Sequence, residues 1–185
     1  MKKRITLITI ISLIALTLCS CIKTDSNIDH YAVDVEAYKA SAFMPNLDDI
    51  GEYESVEYFS RKDESIFPEY SLQLVVRYDE ENYLAEKEKL NTAYTYLEEP
   101  QKPDFDDTVY SMPTTRFETL EFNFRIAVFE DTVYPRNFGM VGTSDETFEI
   151  AYLWMYAPDL DYICKTDANE TKAMGEFIRN YFSLG

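Results

Sequence analysis

Leu120-Glu-Phe-Asn-Phe-Arg-Ile-Ala-Val128 alternates along its length, with Leu120, Phe122, Phe124, Ile126 and Val128 on one face and Glu121, Asn123 and Arg125 on the other. Period-two alternation rich in aromatic and β-branched residues is the pattern of a strand with one buried side. The same rhythm recurs on both sides of this stretch. Residues 70–78 set Leu72, Leu74, Val76 and Tyr78 against Gln73, Val75 and Arg77, and residues 54–61 set Val56 and Tyr58 against Glu57 and Phe59. Downstream, residues 138–142 form a short strand containing Gly139 and Gly142. In the next run Phe148, Ile150, Tyr152 and Trp154 alternate with Glu149, Ala151, Leu153 and Met155. Strands joined by short turns pair antiparallel, because parallel neighbours need long crossovers.

Helical spacing appears in three places. Val35, Tyr38 and Ala42 mark a short helix before Pro45. Asp79 caps a longer one that carries Tyr83, Leu90, Tyr94 and Leu97 inward, with the aliphatic stem of Lys87 at the edge of the stripe, and Glu81, Glu86, Glu88 and Asn91 outward. Asp167 and Glu170 form a capping box for the last, whose stripe is Met174, Phe177, Ile178 and Tyr181. The expected architecture is α+β and two-layered: a five-stranded, mainly antiparallel sheet with the two long helices on one face. The other sheet face would then be free. Its apolar members Phe59, Val75, Leu153 and Met155 are the expected contact residues for a partner protein or a second copy of the chain.

The N-terminus has a different character. Lys2, Lys3 and Arg4 precede an apolar run, Ile5 to Leu18, that is shorter than the roughly 20 residues of a spanning helix. Leu18-Cys19-Ser20-Cys21 follows, and it resembles the lipobox of bacterial lipoproteins. The resemblance implies a signal peptide over residues 1–20, cleavage after small Ser20, and acylation of Cys21. The protein would then sit on the extracytoplasmic face of the cell membrane, held by its N-terminal lipid. Residues 21–34 are polar and aperiodic, which predicts a flexible tether; about 12 such residues span roughly 20 Å. Residues 35–185 make the single domain.

Composition excludes several kinds of chemistry. The chain has 185 residues, with 34 acidic against 17 basic and a net charge of −17. Such a surface repels nucleic-acid phosphates. Its single His, His30, falls in the expected tether, so a Ser-His-Asp or Cys-His arrangement and a Cys/His zinc site are not expected. Gly139 and Gly142 are too sparse for a phosphate-binding loop. No catalytic residue is assigned, and a non-enzymatic binding domain is the expected function.

The alternative is an envelope enzyme or small-ligand-binding protein that uses carboxylates. Its site would be the Pro-rich loop 98–116, where Asp104, Asp106 and Asp107 offer hard oxygen ligands suited to Ca²⁺. Phe105, Tyr110 and Tyr134 are the loop aromatics available for stacking on a ligand ring. The segments 135–146, 150–156 and 159–163 are similar to stretches of uncharacterised small exported proteins from Gram-positive gut bacteria. That similarity suggests a Gram-positive source and implies no activity.

Overall fold

Alternating strands that are apolar on both faces need cover on both faces, and that requirement shapes the whole molecule. The computed structural model describes residues 22–184. The expected signal peptide, residues 1–20, and Cys21 lie outside the described residues. The strands are β1 (Ile22–Asp25), β2 (Ser55–Asp63), β3 (Glu69–Arg77), β4 (Thr95–Tyr96), β5 (Val109–Tyr110), β6 (Arg116–Thr119), β7 (Phe122–Val128), β8 (Asn137–Ser144), β9 (Glu149–Tyr156) and β10 (Cys164–Lys165). The helices are α1 (Tyr31–Ala37), α2 (Glu80–Ala93) and α3 (Glu170–Tyr181), with a 3-10 turn over Ile28–His30 before α1.

Eight strands, not five, form one antiparallel sheet in the order β1-β2-β3-β9-β8-β7-β4, with β6 sharing the outer edge of β7. A separate two-stranded ribbon joins β5 to β10. Three of the additional strands, β1, β4 and β6, are four residues or shorter, too brief to show a period of two.

The helices do not share a face. In β3 and β9, Leu72, Leu74, Val76, Ile150, Tyr152 and Trp154 join the core that contains α1 and Tyr83 and Leu90 of α2. Phe122, Phe124 and Ile126 of β7 join the opposite core, with Met174, Phe177 and Ile178 of α3. Register decides this. Phe124 pairs with Gly142, Gly142 with Ala151 and Ala151 with Val75, so the apolar face of β7 aligns with the more polar face of β3. A side-chain period of two lets each strand choose its buried face, but only the pairing aligns those faces across the sheet.

Val75, Leu153 and Met155, expected on a free face, are therefore core residues at 6%, 0% and 0% exposure beneath α3. Phe59, near the sheet edge, is half-buried. The C-terminus also clasps this face: Ser71 Oγ donates to the Tyr181 carbonyl at 2.6 Å, and the Ser183 amide donates to Gln73 Oε1 at 2.9 Å. The partner surface proposed on these four residues is withdrawn, because the chain covers most of it itself.

Segment 22–34, expected as a tether, is ordered against the body. Ile22 pairs with Asp63 and Asp25 with Ser60. In α1, Asp34 accepts hydrogen bonds from Tyr58 Oη at 2.5 Å and Ser60 Oγ at 3.1 Å. The helix stops well before Pro45, where Lys39 enters the left-handed region at φ 60° and turns the chain. Asn169, not Asp167, caps α3 by accepting from the Lys172 amide at 2.8 Å.

Candidate functional site

A wide concavity lies where the segment 38–50 leaves α1 and crosses in front of α2. It has a volume of about 940 Å³ and is floored by Tyr152 of β9. Two phenols hold its wall in place. Tyr31 at the start of α1 donates to the Pro45 carbonyl at 2.5 Å, and Tyr94 just after α2 donates to the Phe43 carbonyl at 3.0 Å. Phe43 in turn lies over Gly139 of β8, where a Cβ atom would stand 2.5 Å from its ring. The loop is thus fastened near its middle, at Phe43 and Pro45, and pressed against the sheet at the same place.

The cleft has a charged exposed lining, Glu36, Lys39, Asp48, Asp49 and Lys89, and one buried charged group. Glu86 of α2 is only 7% exposed although the sequence pattern placed it outward. Its carboxylate packs against Gly51 and pairs with Lys89, whose own side chain is mostly exposed. Tyr83, Glu86 and Leu90 make the buried stripe of α2. Their three- and four-residue spacing is the one signal that could have placed Glu86 inward. Burial raises the pKa of Tyr31, Tyr94 and Tyr152, with charge repulsion between the neighbouring phenols as a second cause. These hydroxyls stay protonated at every physiological pH. They serve as neutral hydrogen-bonding groups, not as bases or nucleophiles.

The cleft therefore combines apolar and aromatic residues such as Tyr31, Phe43, Leu90 and Tyr152 with one buried carboxylate and a charged, exposed lining. Its buried part has the make-up of small-molecule sites: mostly apolar walls and a few placed polar groups. His30 lies outside the cleft, exposed and paired with Asp25 at 2.6 Å.

The residues singled out from sequence are dispersed. Asp104 and Asp107 are exposed, and Asp106 Oδ1 is taken up by the Thr108 amide at 2.8 Å and hydroxyl at 2.6 Å. Those two bonds lower the Asp106 pKa. Among the described residues, no three His, Cys, Asp or Glu side chains are grouped to hold a metal ion. Phe105 is 67% exposed, while Tyr110 sits under Lys102 and Tyr134 donates to the Ala127 carbonyl. The loop 98–116 is also less free than its prolines suggested. Gln101 and Met112 exchange backbone hydrogen bonds across it, and Met112 is fully buried.

No family model, no curated protein and no solved structure matches this chain.

Proposed function

We propose that this chain is a lipid-anchored extracytoplasmic binding domain, attached through Cys21, whose ligand seats in the cleft between the 38–50 loop and α2. The anchor rests on Lys2-Lys3-Arg4, the apolar run that follows, and Leu18-Cys19-Ser20-Cys21. The binding role rests on one observation above all: a buried carboxylate, Glu86, among the apolar and aromatic residues of a cleft of about 940 Å³ whose exposed lining adds Glu36, Asp48 and Asp49. Ionised carboxylates are rarely buried without a partner that justifies their desolvation. Lys89 supplies part of that compensation from the solvent side.

The chemistry favours a small amine with an apolar or aromatic body. A carboxylate accepts from an ammonium group, aromatic rings attract cations, and the acidic surface draws cations inward. Phenethylamine and phenylacetate are matched probes of opposite charge. Millimolar phenethylamine should raise the thermal unfolding midpoint where phenylacetate does not, and Glu86→Gln should abolish the rise. Equal effects of the two probes, or none from either, would refute the reading.

A further inference from the structure

We infer that the hairpin tip between β2 and β3, carrying Ile66 and Phe67, dips into the lipid surface beside the acylated N-terminus and fixes the body upright on the membrane. This rests on the proposed anchor at Cys21 and goes beyond it, because an anchor alone leaves orientation free.

The topology brings the two features together. Ile22 pairs with Asp63, and Asp63 pairs with Glu69, so Ile22, the residue covalently next to the proposed attachment point, lies at the end of the sheet where the 64–68 turn is. Lys23 confirms the proximity by pairing with Glu64 across that end. β1 begins at Ile22, one peptide bond after the proposed attachment point. The membrane must therefore lie against this end of the sheet.

What this end presents suits a lipid interface. Ile66 is 85% exposed, Phe67 55% and Ile22 51%, three large apolar side chains at one tip of an otherwise acidic protein. Several polar groups of the turn are paired internally. The Ser65 amide donates to Asp63 Oδ1 and the Ser65 hydroxyl to the Phe67 carbonyl, both at 3.0 Å. Glu64 is held between Lys23 and Lys62, which bring its carboxyl down to about 2. Arg61 likewise pairs with Glu69. Polar groups satisfied within the turn lower the cost of leaving water, and apolar side chains gain from entering the acyl boundary. The local charge is balanced, so anionic head groups are not repelled here as they are elsewhere on the chain.

The test uses the full chain, purified from membranes and reconstituted in phosphatidylcholine vesicles containing brominated acyl chains. Trp154 is the only tryptophan and is buried, so it gives a constant background. Phe67→Trp places a reporter at the tip. Leu84→Trp, on exposed α2 near the opposite end of the sheet, is the control. The expected result is that the vesicles carry the protein on flotation, that position 67 loses most of its emission to the brominated lipid, and that position 84 keeps its emission. Flotation without quenching at position 67 would overturn the inference and leave the anchor standing. Quenching replaced by self-association through the tip would also overturn it, in favour of a second copy as occupant. Failure to float, with mass spectrometry finding Cys21 unacylated, would refute the anchor and the inference together.

Discussion

Phe43 lies flat against the backbone of Gly139, so close that a Cβ atom added there would meet Cδ2, Cε2 and Cγ of the ring at 2.5, 2.6 and 2.7 Å. The contact joins the cleft wall to the centre of the sheet, since Gly139 pairs with Trp154 on one side and Ala127 on the other. Phe43 is 3% exposed and also packs against Tyr94 and Phe129, so the ring has little room to retreat.

Gly139→Ala should therefore cost about 1–3 kcal/mol, the usual penalty for overpacking a filled core. Phe43→Leu in the same chain should recover part of that loss. A double-mutant cycle by urea denaturation measures the coupling. Purely additive losses would show that the ring moves aside freely.

Leu153, once expected at a docking surface, is wholly buried between the sheet and α3. Leu153→Ala should destabilise by about 2–5 kcal/mol through lost burial and the cavity left behind. A surface contact residue would cost less than about 0.5 kcal/mol, so denaturation alone separates the two cases.

The two-residue link between β6 and β7 is Leu120-Glu121, with φ of 52° and 67°. Both residues occupy the left-handed region that a tight hairpin turn requires and that side chains disfavour. Leu120→Asn with Glu121→Gly should stabilise the chain by about 1 kcal/mol or more. An unchanged or lowered midpoint in thermal unfolding would contradict the turn geometry.

His30 reports on the N-terminal segment. Its pKa is raised, chiefly by the hydrogen bond to Asp25, and the Asp25 pKa is lowered by the Asn27 amide first and by His30 second. A raised His favours folding below its ordinary 6.5 and loses that contribution as pH climbs through the raised value. A lowered Asp favours folding above its ordinary 3.8 and loses it as pH falls through the lowered value. Both act together between 3.8 and 6.5. As the chain has one histidine, its ring protons give an unambiguous NMR titration. The midpoint should lie above 6.5 and fall back in Asp25→Asn. A midpoint already at 6.5 would mean that residues 25–30 are not held as described.

Part of the cleft was legible in advance. Asp79 reads as a helix cap and serves as one, accepting from the Asn82 amide at 2.8 Å. Tyr83 and Leu90 read as core and are core. Glu86 did not, because a carboxylate on a helix is normally solvated and its burial depends on Gly51 arriving from a distant loop. The loop's course past Tyr31 and Tyr94 likewise depends on hydrogen bonds to carbonyls, which every residue type carries.

The linear order of residues was sufficient for the five long strands and for the inward residues Tyr83, Leu90, Met174, Phe177 and Ile178, since these follow local patterns of polarity. It carried the first two helices too far, to Ala42 and Leu97, whereas they end at Ala37 and Ala93. Tertiary structure alone decided which way the patterns face. Sheet register turned Phe124 toward α3 and Leu74 toward α2, long-range pairing made strands of Ile22–Asp25 and Thr95–Tyr96, and chain return buried Val75, Leu153 and Met155. The reason is geometric: alternation shows that a strand has two sides, whereas the side that meets a given helix is fixed only when neighbouring strands align.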